Sequence, residues 1–171
     1  NGAKKVVILE KLGYLGGSTN VSGGALNAVD DKRQKAQGID DSVQKFYEAT
    51  MKGGHNVGNP ELVKYLTDNA YPTVKWMEKE GVVFRDKIGA ATGSLGQRSH
   101  YGKKPAGYAY TSVFENKLKE YGDRVVVLTE TPATKLIMDK SGRVIGVSGL
   151  HAGKQPVTVM APSVILARSE E

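Results

Sequence analysis

Cysteine is absent from the 171 residues, so neither a disulfide framework nor a thiolate metal site can form, and thiols say nothing about redox compartment. Histidine occurs three times. His55, His100 and His151 stand far apart without local acidic ligands, which argues against a zinc site. Ser22 and Ser99 lie in no recognisable nucleophile motif, so serine hydrolase chemistry is not expected. No apolar run approaches the roughly 20 residues that a membrane-spanning helix needs. Asn1-Gly2-Ala3-Lys4-Lys5 is followed by only a short apolar stretch, so these residues read as neither a signal peptide nor an anchor.

What remains is an ordinary globular composition, 39% hydrophobic and 25% charged, long enough for one domain with a sizeable core. The net charge of +6 raises the question of nucleic acid, for which clustering of Lys and Arg is the test. The basic residues are interleaved with acids instead. Lys32-Arg33 follow Asp30-Asp31, Lys117 and Lys119 stand beside Glu115 and Glu120, and Lys140 follows Asp139. That pattern predicts a solvated surface and no nucleic-acid partner.

Along the chain, Val6-Val7-Ile8-Leu9 is a β-branched apolar run ending in Glu10, the pattern of a buried parallel strand. Residues 13 to 28 are rich in Gly, Ser, Thr and Asn and read as a functional loop or a linker. Helical spacing from Asp40 to Lys52 places Val43, Phe46, Tyr47 and Met51 on one face, with Asp40, Asp41 or Ser42 as cap and Gly53-Gly54 as stop. A second helix starts at Asn59-Pro60 and runs to Gly81, with Pro72 expected to kink or divide it. Val82-Val83-Phe84 reads as a short strand, and residues 88 to 107 as a long glycine-punctuated loop holding Arg98-Ser99-His100. Tyr108 to Tyr121 is again helical. Val125 to Leu128, Ala133 to Met138, Val144 to Leu150 and Gln155 to Met160 read as strands, the middle two joined by a hairpin turn at Asp139-Lys140-Ser141-Gly142. Val164 to Ala167 is expected to add one more.

A carboxylate at the C-terminal end of a parallel strand is where dinucleotide-binding folds receive the adenosine ribose hydroxyls, and Glu10 has that place. The motifs around it carry more. Glu10-Lys11, Gly16-Gly17-Ser18-Thr19, Gly23-Gly24-Ala25-Leu26-Asn27-Ala28, Met51-Lys52-Gly53-Gly54, Asn59-Pro60-Glu61, Trp76 before Gly81-Val82, Arg98-Ser99-His100 and Ser141-Gly142-Arg143-Val144 keep one order over nearly the whole chain. In that order they resemble the FAD-dependent fumarate reductase and flavocytochrome c flavoproteins. The register aligns Gly24-Ala25 with a Gly-Gly doublet of that family, and Tyr101 stands where an Arg often follows Ser-His.

The resemblance implies an α/β fold: a partial Rossmann-like FAD-binding domain over residues 1–171, with a helical insertion and a β-meander. The family's first strand and glycine loop would precede residue 1, and its capping domain, with the proton-donating arginine and dicarboxylate clamp, would follow residue 171. Glu10 is implied at the ribose, Gly16, Gly17, Ser18 and Thr19 along the pyrophosphate and flavin, Ala133 at the adenine, and Lys11 and Gly24 as further cofactor-binding residues. Members with covalent FAD carry a His near the place of Ser18, so noncovalent FAD is implied. Arg98 and His100 are either flavin- or substrate-side groups or polar residues of a surface loop. The implied function is part of an oxidoreductase that reduces the double bond of an unsaturated carboxylate such as a dicarboxylate or related enoate, with no catalytic residue among these. Urocanate reductase, ketosteroid dehydrogenase, or a non-catalytic module that binds no flavin by itself are the alternatives. Flavin retention by these residues alone is expected to be weak or absent.

Overall fold

Val6–Leu9 forms strand β1, and its partner β4 (Val125–Leu128) lies parallel to it in the register Val6↔Val125 to Leu9↔Leu128. Parallel partners cannot be joined by a tight turn, so the chain must cross over between them. Here the crossover holds a second unit. In the computed structural model, which describes residues 2–167, the stretch up to Gly17 and the stretch from Glu115 onward make one unit, and Ser18–Phe114 make the other.

The first unit contains β1, β4 and an antiparallel meander of β5 (Ala133–Met138), β6 (Val144–His151) and β7 (Gln155–Met160). The hairpin chemistry expected at residues 139 to 142 is present. The Asp139 carboxylate accepts from the Ser141 amide at 2.8 Å, the Ser141 hydroxyl at 2.6 Å and the Arg143 amide at 3.1 Å, and these bonds hold it below the usual carboxylate range. One strand expectation fails. Residues 163–167 have no strand partner among the described residues, and Ile165 is 89% exposed: an apolar run without a neighbour to bond its backbone is not a strand.

The second unit contains α1 (Gly17–Val21), β2 (Ala25–Asn27), α2 (Asp31–Lys35), α3 (Val43–Gly53), α4 (Pro60–Glu80), β3 (Ser99–Tyr101) and the first turns of α5 (Tyr108–Glu120). Its core is Ala28, Val74, Val82 and Phe84, packed by Leu26, Ala70, Tyr71, Met77, Tyr110 and Val113. The Trp76 and Phe114 rings stack beside it with centroids 5.5 Å apart.

Pro72 does not divide α4. Thr67, five residues before it, and Val74, two after, are buried, and packing on both sides outweighs the roughly 3 kcal/mol that an interior proline costs. The ends are as expected, with the Asn59 side chain accepting from the amides of Glu61 and Leu62, and Gly81 closing the helix at φ 109°. Val82-Val83-Phe84 is not a strand; only Phe84 bridges, to Gly102. Conversely, both expected loops contain structure. Residues 13 to 28 hold α1 and β2, and residues 88 to 107 hold β3, which pairs antiparallel with β2. Three-residue strands and a five-residue helix are too short to show periodicity, which is why α2 also left no trace in the sequence.

Gly107 is where the unit is tightest. A Cβ there would fall 1.7 Å from the Thr19 carbonyl oxygen and 2.6 Å from the Ser22 hydroxyl, while the Gly107 amide donates to the Ser22 carbonyl at 3.1 Å. Gly107→Ala is therefore expected to destabilise this unit by about 1–3 kcal/mol or more. Gly23→Ala, whose Cβ meets nothing within 4 Å, is expected to stay within about 0.5 kcal/mol of the parent. Urea unfolding midpoints of the two variants check the contrast, and equal midpoints would refute it.

Candidate functional site

The cofactor residues expected from sequence fall on both units, and each group is described within its own. In the first unit, Glu10 follows β1 directly and is half-buried. Its amide donates to the Leu128 carbonyl at 2.9 Å, extending the parallel ladder by one residue. Its Oε1 accepts from the Leu12 amide at 2.7 Å, which turns the carboxylate back over the strand end. Its carbonyl accepts from the Thr131 amide at 2.8 Å. Ala133, exposed at the start of β5, is two residues beyond Thr131, so Glu10 and Ala133 are brought together by one short segment. Lys11 is exposed, and Gly16 and Gly17 have φ of 94° and 41°, with open space where a Gly17 side chain would be.

An acid at the carboxyl end of a parallel strand, with one oxygen fixed by a backbone amide, suits the ribose end of a dinucleotide. A Gly-Gly bend facing open space suits close approach by a large planar group. The donor set therefore fits FAD.

In the second unit, Ser18 and Thr19 are exposed within α1. The Thr19 carbonyl accepts from the Ser22 amide at 3.2 Å and hydroxyl at 2.8 Å. Gly24 is buried with φ 68°, and a Cβ on it would lie 2.6 Å from the Ala106 carbonyl carbon and oxygen. Its own carbonyl accepts from the Tyr110 hydroxyl at 2.6 Å. Burial pushes that phenol up. This glycine is required by packing within the unit.

Arg98 and His100 are not surface-loop residues. They lie on or beside β3, 4% and 0% exposed, in a polar network that sequence reasoning missed. The Arg98 Nε and Nη2 donate to the two oxygens of Asp41 at 2.8 and 2.7 Å, and its guanidinium lies 4.8 Å from the Phe46 ring centre. Gln34 donates to Asp41 at 2.9 Å and accepts from the Asp30 amide at 2.8 Å. Asp30 caps α2 through the Arg33 amide, pairs with Arg33 Nη1 at 2.7 Å, and lies 3.3 Å from His100 Nε2. Arg33 also holds Glu78 at 2.7 Å. The expectation that Asp30-Asp31 and Lys32-Arg33 are all solvated charges thus fails for Asp30, which is fully buried, and for Arg33, which is tied to it. Nothing local marks this network, because α2 and β3 are too short to show a pattern and Asp41 and Arg98 lie 57 positions apart.

Burial by itself raises the Asp30 carboxyl, but hydrogen bonds from the Arg33 side chain and amide and from His100 outweigh it and hold the group below the usual range. Asp41 behaves likewise, with burial opposed by Arg98, Gln34 and the Ser42 amide. A surface depression of about 430 Å³ lies beside this network, lined by Ile39, Asp41, Lys45, Lys52, Leu95 and Arg98, and none of the expected cofactor residues borders it. No described helix is long and apolar enough to cross a membrane.

Residues 1–170 match the FAD binding domain family. The NADH:fumarate oxidoreductase of Klebsiella pneumoniae is 31% identical over 165 residues, covering 95% of this chain and 17% of the relative. The urocanate reductase of Eggerthella lenta is 34% identical over 167 residues, covering 96% of this chain and 27% of its own length. A flavocytochrome c3 fumarate reductase, solved in an open conformation, superposes with a TM-score of 0.83 at 27% identity, over 94% of this chain and 28% of that one. The chain therefore spans less than a third of each of these relatives.

The buried network generates a pH dependence. Both aspartates have lowered folded-state pKa values, so their stabilisation is present above the unfolded carboxylate pKa of about 3.9 and is lost as pH falls through the folded value. Asp41→Asn leaves Arg98 buried without a counter-charge and is expected to cost about 3–5 kcal/mol at pH 7, with a shallower loss on acidification. Urea unfolding at pH 7 and at pH values below about 3 tests this. An Asn variant as stable as the parent at pH 7 would refute it.

Proposed function

The chain belongs to the FAD binding domain family, and from that premise we propose that it forms part of the FAD cradle of an oxidoreductase that reduces the double bond of an unsaturated carboxylate. The observation that carries this reading is Glu10, placed at the carboxyl end of a parallel strand with one carboxylate oxygen fixed by the Leu12 amide. The other oxygen is the acceptor for the ribose hydroxyls. Ala133, exposed and tied to Glu10 through the Thr131 amide, stands at the adenine.

Gly16, Gly17, Ser18 and Thr19 form the stretch that passes the pyrophosphate and the isoalloxazine ring, with Gly17 leaving room where a side chain would stand. Lys11, exposed beside Glu10, supplies positive charge at the same end. Gly24 packs against the Ala106 carbonyl within its own unit. Ser18 offers no ring nitrogen for a covalent link, so the flavin is held noncovalently.

Bound FAD supplies hydride transfer; these residues supply binding and orientation. No catalytic acid is assigned among them. The buried state of Arg98 and His100 supports a structural role for both, since each spends its polar atoms inside the protein. The substrate class rests on the relatives whose names specify fumarate and urocanate, both unsaturated carboxylates.

Glu10→Gln tests the reading in the full-length protein. Glutamine keeps an acceptor for the Leu12 amide but loses the charge that strengthens bonds from the ribose. FAD affinity is expected to fall about 10- to 100-fold, the equivalent of a lost charge-assisted hydrogen bond. Fluorescence titration of the apoprotein measures it, with turnover of fumarate and urocanate assayed alongside. Full-length protein that retains no flavin, or a Gln variant that binds FAD as tightly as the parent, would sink the proposal.

A further inference from the structure

His151 is unused by the site described so far, yet it closes the segment on which that site depends. Thr129–Ala133 leads from the end of β4 to the start of β5 and carries the backbone that joins Glu10 to Ala133. Glu130 within it has φ 48°, a conformation that residues other than glycine seldom adopt and that persists only where its surroundings fix it. They do so from two sides. From the β1 side, the Leu12 carbonyl accepts from the Glu130 amide at 2.9 Å and the Glu10 carbonyl from the Thr131 amide at 2.8 Å. From the β6 side, the Ala152 amide donates to the Glu130 carbonyl at 2.8 Å and the Leu150 amide to the Pro132 carbonyl at 3.4 Å. Gly149 admits that approach, since a Cβ on it would stand 2.5 Å from the Pro132 oxygen.

The side chains complete the clasp. Thr131 is fully buried, and its hydroxyl donates to the Thr129 carbonyl at 2.7 Å. His151 Nδ1 lies 3.0 Å from that hydroxyl and 3.2 Å from the same carbonyl. A carbonyl oxygen only accepts, and the single hydroxyl proton is already directed at it. A bare lone pair on Nδ1 would face two oxygens with no proton left to share. With the proton on Nδ1, the hydroxyl accepts from the ring while donating to the carbonyl, and every group is satisfied.

We propose that His151, acting as an Nδ1–H donor through Thr131, is a positioning residue that sets the Pro132–Ala133 backbone for the adenosine half of the cofactor. The inference rests on the placement of adenosine at Glu10 and Ala133 proposed above. Thr131 keeps its bond to the Thr129 carbonyl and the Leu150 and Ala152 amides keep theirs when His151 is changed, so the fold survives while the segment loses its one side-chain tie to the end of β6.

The amide nitrogen of asparagine can occupy the place of Nδ1, whereas that of glutamine reaches the place of Nε2. In the full-length protein, His151→Gln and Thr131→Val are expected to weaken both FAD and ADP about tenfold, and His151→Asn to stay within about threefold of the parent, the loss being that of one hydrogen bond. Titration of the apoprotein with each ligand gives the affinities, and thermal unfolding without ligand checks that each variant is folded. Parent-like affinity in His151→Gln, or equal losses in His151→Asn and His151→Gln, would overturn the proposal. Glu10→Gln in the same series separates the two levels. If it binds FAD like the parent, the adenosine placement falls and this inference with it; if it loses affinity and His151→Gln does not, only the role of His151 is removed.

Discussion

Val6–Leu9 and Val125–Leu128 run in the same direction, and most of what the chain can do follows from that. In a parallel pair both carboxyl ends lie at one edge, so Glu10 and Thr129–Ala133 meet there without any other element having to carry them together. An antiparallel pair with the same residues would put Glu10 beside the amino end of β4. The direction of one four-residue strand pair thus decides which side chains share a site. It also forces a crossover, and the crossover is long enough to contain a folded unit with its own core.

The parts readable in the sequence are those where one local signal suffices. Val6–Leu9 is a β-branched run with no polar alternation, Asn59-Pro60 and Gly81 are an unambiguous start and stop, and Asp139-Lys140-Ser141-Gly142 has the residues that a tight hairpin needs. The family resemblance was readable because its motifs keep their order, and the match over residues 1–170 bears it out. Short elements were not readable: β2, β3 and α2 owe their existence to neighbours distant in sequence rather than to local periodicity. Val164–Ala167 failed for the converse reason, being a good strand sequence with no partner among the described residues.

Charge was the least readable property. Asp30, Arg33, Asp41 and Arg98 look like ordinary surface residues because composition cannot tell a paired charge from a solvated one. Asp41 and Arg98 lie 57 positions apart and satisfy each other through both carboxylate oxygens. Removing one partner strands the other in a medium of low dielectric, so the network fixes one arrangement of β3 against α2 and the start of α3 even where its net contribution to stability is small. Within that unit β3 also sets the place of β2, so the ion pairs help position the strand that follows the small-residue stretch.

The distance in sequence between β1 and β4 has a consequence for synthesis. Val6–Leu9 is synthesised long before β4, and the two can pair only once residues 10 to 124 have been made. During that interval the edge of β1 that β4 will cover is unpaired, the state in which strands recruit strands from other chains. Lys4 and Lys5 immediately precede it, and adjacent like charges disfavour such stacking. Both lysines are exposed in the finished fold.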